Sequence, residues 1–153
     1  ALPIYMDKDL KLNLYSSEFS TDTDISFVDT GIKAGFPSPA QDYLTGSIDL
    51  NRELIRHKET TFLARVSGNS LHEAGICDGD IIVIDKALEA KNGDFVVAFI
   101  DGEFTLKEFR YDEKENCAWL IPHNKNYEPI KVTSENEFLV WGVLTYTIKQ
   151  LRK

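Results

Sequence analysis

The dipeptide Asp101-Gly102 restricts the fold more than any other feature of the chain. It separates two strand-like runs, 94–100 and 103–109, and aspartate-glycine between such runs is the turn chemistry of a two-residue β-hairpin. The rest of the chain repeats the theme. Residues 61–66 alternate, with Phe62, Ala64 and Val66 on one face, and 81–84 is an apolar run expected to be a buried strand. Residues 117–121 form a further strand stopped by Pro122, and 138–148 a long final one interrupted by Gly142, where a bulge is expected. Residues 111–116 read as a charged loop and 123–129 as a polar one. Asp49 is placed as the cap of a short amphipathic helix, with Leu50, Leu54 and Ile55 facing inward. Short strands at close spacing with one or two small helices imply a mostly β fold of bent, barrel-like antiparallel sheets.

The first 34 residues differ in character. Asp7, Asp9, Glu18, Asp22, Asp24 and Asp29 face only Lys8, Lys11 and Lys33, and short apolar patches at 10–15 and 25–28 are separated by Ser/Thr/Asp clusters. This pattern suits an extended N-terminal arm better than an independent domain. Residues 35–39, Gly-Phe-Pro-Ser-Pro, are stiff and extended because each proline fixes its own φ and biases the residue before it.

Charge and composition exclude several functions. A net charge of −8 over 153 residues argues against direct nucleic-acid binding and against an anionic membrane surface. There is no basic apolar leader and no apolar run of about 18 residues, so a cytoplasmic location is expected. Cys77 and Cys117 are isolated thiols without a C-x-x-C, and His57, His72 and His123 make no metal-spaced cluster with them. Free thiols, no metal site and no cofactor are expected.

Two residues invite chemistry. In 66–71, Val-Ser-Gly-Asn-Ser-Leu, Gly68 ends a strand and Asn69 tolerates a tight turn, so the Ser70 hydroxyl can stand clear of the backbone as a nucleophile. Serine after glycine is also an ordinary turn residue. Lys107 shares a strand face with Thr105 and Phe109; held away from water, it would favour the neutral amine and act as a general base. The alternative is a solvated strand residue, the commoner fate of lysine. Nothing in the spacing joins the two. His72 lies two residues from Ser70, too close in sequence for a productive Ser–His pair. The segment lacks the second glycine of G-x-S-x-G and the lysine of S-x-x-K.

Six blocks follow one family in order: AGFPSPA at 34–40, SGNSL at 67–71, GICDGDIIVID at 75–85, DGEFTLKEF at 101–109, LIPHNKNYEPI at 120–130 and VWGVLTYTIK at 140–149. With them the chain resembles the LexA/UmuD-type self-cleaving serine peptidases from residue 34 to its end. The resemblance implies Ser70 as nucleophile, Lys107 as general base and Ala34–Gly35 as the bond cut, dividing an arm, 1–34, from a Ser-Lys peptidase and dimerisation domain, 35–153. Leu71 stands where the family usually has methionine, a volume-conserving change. Ala34 stands where UmuD-type members often have cysteine, and alanine before glycine is what LexA-type repressors carry.

The resemblance further implies a homodimer, stimulation by a RecA–single-stranded DNA filament, and a trimmed form that joins a UmuC-type Y-family polymerase as translesion polymerase V in the SOS response. Two other readings stay open. One is a LexA-type repressor peptidase domain without its DNA-binding region, which needs about three helices that the first 34 residues do not offer. The other is a non-catalytic binding module.

Overall fold

The computed structural model describes residues 4–5, 11–16, 24–28 and 44–153. The Ala34–Gly35 bond, the domain boundary drawn there and the proline segment that follows lie outside the described residues. In chain order the elements are β1 (Ile4–Tyr5), β2 (Lys11–Ser16), β3 (Asp24–Val28), β4 (Leu44–Asp49), α1 (Leu50–Leu54) and β5 (Thr61–Ser67). There follow β6 (Ile81–Asp85), β7 (Phe95–Ile100), β8 (Glu103–Asp112), β9 (Cys117–Ile121), β10 (Ile130–Val132) and β11 (Phe138–Ile148). They fall into two compact units, one within residues 1–17 and 57–153, the other within 18–56. No helix among the described residues is long and apolar enough to cross a membrane.

The smaller unit pairs β3 with β4 antiparallel and continues into α1. Asp49 caps the helix as expected, its carboxylate accepting the Asn51 N–H at 3.0 Å. The inward face does not form as expected. Leu50 is 46% exposed, and only Leu54 and Ile55 are half-buried. Five residues are too few turns to present a continuous apolar stripe.

The larger unit is built on one antiparallel sheet of nine strands, in the order β1-β2-β5-β6-β11-β7-β8-β9-β10. Asp101 and Gly102 close the β7–β8 hairpin with φ of 47° and 87°, the double positive φ of a type I′ turn. The Asp101 carboxylate also accepts the Glu137 N–H at 3.0 Å, joining the turn to the start of β11. Alternation along β7 separates two cores. Val97 packs with Ala64, Val66, Leu71, Ile82, Ile84 and Leu106, while its neighbours Val96 and Ala98 pack with Leu120, Val132 and Val143. Because both faces are covered, β6 is apolar from Ile81 to Ile84, and its last residue, Asp85, is buried as a carboxylate.

Two boundaries differ from the sequence reading. Tyr111 and Asp112 continue β8, opposite Ala118 and Cys117, so the expected loop shrinks to the turn at 113–116. β10 pairs with β9 through Ile130↔Leu120 and was not foreseen, since three residues carry no readable period.

β11 pairs with β6 on one side and β7 on the other, and its register slips between Val140 and Gly142 and again between Leu144 and Tyr146. The bulge expected at Gly142 is there. Glycine is required by close approach: a Cβ at 142 would meet Ile84 Cγ2 at 2.5 Å, inside the packed core. Gly142→Ala should therefore lower the unfolding free energy by about 1–3 kcal/mol through overpacking, read from urea titrations. A loss below about 0.5 kcal/mol, the size of an ordinary surface change, would show that the core yields there without cost.

Candidate active site

β5 runs out at Ser67, and Gly68, with φ of 120°, turns the chain in a conformation that a side-chain-bearing residue resists. The turn is held from below. The Gly68 N–H donates to Asp78 Oδ1 at 2.9 Å, while the Val66 N–H and C=O bond the backbone of Asp80 and Gly79 at 2.8 and 2.7 Å. Leu71 is driven into the first core, and a 3₁₀ turn at His72–Ala74 closes the loop. Ser70 is thus fixed between a polar turn and a buried leucine. It is 1% exposed, and its hydroxyl donates to the carbonyl of Leu106 at 3.2 Å.

Lys107 stands next to that carbonyl in β8, opposite Val96, and is also 1% exposed. Its Nζ donates to Thr105 Oγ1 at 2.6 Å and lies 6.0 Å from the centre of the Tyr127 ring. Of its two open readings, a solvated strand residue is the one overturned. The structure thus carries the Ser70 loop onto the strand that bears Lys107. His72 goes elsewhere: exposed, it has Nδ1 3.5 Å from Cys77 Sγ.

Around this pair lie residues that sequence reasoning missed. His123 donates its main-chain N–H to the Ser70 carbonyl at 2.8 Å and accepts the Glu73 N–H on its own carbonyl at 2.8 Å. Its ring Nε2 lies 2.8 Å from Glu108 Oε1. No local pattern marks such a partner, because the relation joins a loop to a strand through the fold. Thr105 carried a signal, sharing the face of Lys107 by simple alternation.

Buried carboxylates fasten the surroundings. Burial alone would raise the Glu108 carboxyl, but the hydrogen bonds from His123 and Arg110 outweigh it and hold it below its ordinary range. Asp80 behaves alike: burial is outweighed by Lys149, whose Nζ is 2.6 Å from Oδ2, by the Cys77 N–H and by Thr147. The Lys149 ammonium is correspondingly raised by Asp80. Asp78, Asp80, Asp85 and Asp94 each accept a backbone N–H, as expected of turn aspartates. Cys77 and Cys117 are free thiols, half-buried and buried. Asp112, Glu115 and Cys117 cluster at the β8–β9 turn, where Lys131 pairs with Glu115 at 3.1 Å.

The structure thus buries a serine hydroxyl against the carbonyl of the residue that precedes a buried lysine. In comparison with known proteins, residues 26–145 match the family model described as Peptidase S24-like. The chain is 38% identical to Protein MucA of Salmonella typhimurium over 141 residues, 91% of this chain and 94% of MucA. It is 42% identical to Protein SamA of the same species over 119 residues, 78% of this chain and 81% of SamA. The LexA repressor of Arthrobacter sp. is 40% identical over 116 residues, 74% of this chain and 45% of the repressor.

The carboxylates give a pH signature. Because the folded pKa of Asp80 is depressed, the stability it contributes is fully present above the ordinary aspartate value and is lost as pH falls through the lower folded one. The stability difference between the unmodified chain and Asp80→Asn should hold constant from neutral pH down to about 5 and shrink below it. Urea unfolding at several pH values measures this. A difference that persists unchanged at about pH 2 would show that the carboxylate charge is not what Asp80 contributes.

Proposed function

The chain belongs to the peptidase S24-like family, and on that footing we propose that it is a self-cleaving serine peptidase of the LexA/UmuD type. Ser70 is the nucleophile, Lys107 the general base, and Ala34–Gly35 the bond cut. The observation that carries the reading is the burial of a serine hydroxyl and a lysine from separate segments, the hydroxyl bonded to the carbonyl that precedes the lysine. Desolvation disfavours an ammonium relative to the neutral amine, which is the form a base must take.

The reaction follows from these roles. Ser70 Oγ adds to the Ala34 carbonyl carbon while neutral Lys107 accepts the hydroxyl proton. Collapse of the adduct breaks the C–N bond, and Lys107 passes the proton to the leaving Gly35 amine. Water then releases the Ala34 acyl group from Ser70 by the same proton route. A methyl at Ala34 and no side chain at Gly35 would add little bulk beside the scissile carbonyl.

Residues 1–34 are then an arm removed by the cut, and 35–153 the peptidase and dimerisation domain. We assign the cleavage to the cytoplasmic SOS response, promoted by a RecA–single-stranded DNA filament that favours the cleavable arm. The trimmed homodimer serves a UmuC-type Y-family polymerase, as accessory subunit of translesion polymerase V. A net charge of −8 suits protein partners rather than direct contact with DNA. Release of the arm converts a tethered contact into a bimolecular one, losing an effective concentration of about millimolar order and freeing the covered surface.

Incubation with a RecA filament, followed by mass measurement and N-terminal sequencing, tests this directly. A fragment beginning at Gly35 is expected; one beginning elsewhere removes the bond assignment. Ser70→Ala should remain uncut, and Lys107→Arg should lose on the order of 1,000-fold in rate because a guanidinium does not act as a base. The rate in the unmodified chain should rise with pH until Lys107 is deprotonated. A chain starting at Gly35 and carrying Ser70→Ala should still support damage-induced mutagenesis, since the serine is needed only for the cut.

A further inference from the structure

Glu108 follows Lys107 in β8, and its side chain is 11% exposed with both carboxylate oxygens engaged: Oε1 with His123 Nε2 at 2.8 Å, Oε2 with Arg110 Nε at 2.5 Å. His123 reaches this carboxylate with its ring while its main chain grips the serine loop on both sides, donating to the Ser70 carbonyl and accepting from the Glu73 N–H. The adjoining residues add to the grip. Asn124 Nδ2 donates to the Asn69 carbonyl at 2.8 Å, and the Lys125 N–H to Glu73 Oε2 at 3.1 Å. The edge of Phe95 packs against the His123 ring, 5.3 Å between centres, which limits its rotation. The serine loop is thus tied to β8 twice, by Ser70 Oγ to the Leu106 carbonyl and through His123 to Glu108. The two ties bracket Lys107.

We infer that Glu108 and His123 are a positioning pair that keeps the Ser70 loop in register with the strand carrying Lys107. The inference rests on the dyad reading above. Neither side chain exchanges a proton with substrate. Their part is directional: a carboxylate held at both oxygens fixes the angle as well as the distance of the group bound to it, and reactive geometry is sensitive to both.

The test uses the full chain with His123→Leu, Glu108→Leu, the double variant and His123→Gln, whose amide N–H can replace the Nε2 donor. Self-cleavage under RecA stimulation should slow on the order of 100-fold in each leucine variant. The double variant should be no slower than the worse single one, because the two act as one unit. His123→Gln should recover most of the rate, and the pH at which the rate rises should stay where it is in the unmodified chain. Unchanged cleavage in His123→Leu, losses that multiply in the double variant, or no recovery in His123→Gln would overturn the inference.

Amide hydrogen exchange reads the same ties without any cleavage. Glu108→Leu should speed exchange at the His123 and Glu73 amides while β6 keeps its protection, and unchanged exchange at those two amides would overturn the positioning pair by itself. Failure of the dyad reading looks different: the unmodified chain stays uncut, or Ser70→Ala is cut, whatever the exchange shows.

Discussion

A lysine nitrogen withdrawn from water costs several kcal/mol unless it gives up its proton or is held among suitable partners. Lys107 is 1% exposed, as buried as the aliphatic core around it, so the surrounding fold must supply that environment and keep it in place. β8 pairs with β7 at Lys107 and with β9 from Glu108 onward, so the strand is held on one side at Lys107 and on both sides from the next residue. Thr105 accepts from the amine and the Tyr127 ring lies near it. The alternation of β7 and β8 divides the labour: Leu106 goes to the core that anchors Leu71, while its carbonyl receives the Ser70 hydroxyl. One residue therefore ties apolar packing to the proposed Ser70–Lys107 pair.

The loop that bears Ser70 is correspondingly over-determined. Leu71 anchors it by burial, Asp78 and the Asp80 backbone hold the strand end before it, and His123 fixes it from a different loop. These supports come from sequence positions both before and after β8. Each support restrains a different part of the loop, which separates a loop that merely turns from one that holds a hydroxyl at a set place.

Much of this fold was legible because its signals are local. Asp101-Gly102 announces its hairpin since both residues must adopt positive φ, and Pro122 ends β9 where its missing N–H would break the ladder. Gly142 could be read as a bulge, though the reason for it, the Ile84 methyl beneath, belongs to the packed state. Leu50 was misplaced because a single helical turn offers no period to judge by, and β10 escaped notice for the same reason. For the site, sequence offered two open readings of Lys107. Whether the solvated one could stand depended on whether remote chain covers that face of β8, and no window of neighbouring residues contains that information. The His123–Glu108 relation was invisible on the same ground.

The polar ties share a design that apolar packing would not reproduce. Asp80 joins the turn behind Ser70 to Lys149 near the end of the chain. Asp85 gathers His57, Thr60 and the Ala87 N–H, and Glu108 gathers His123 and Arg110. In each case burial pushes the carboxyl up, and its hydrogen bonds more than offset the push, leaving it ionised. Well-packed hydrophobic residues of similar volume are often at least as stabilising as a buried ion pair, so stability alone does not account for three such arrangements. What a carboxylate adds is direction, because its oxygens fix the rotation of the segments they hold as well as their separation. A core clustered around Leu71 tolerates small rotations of the loop above it. Under the proposed reaction, attack by a hydroxyl along one line on one carbonyl would not, and the Asp80 and Glu108 ties are the two of the three that fasten segments bonded to the Ser70 loop or the strand before it.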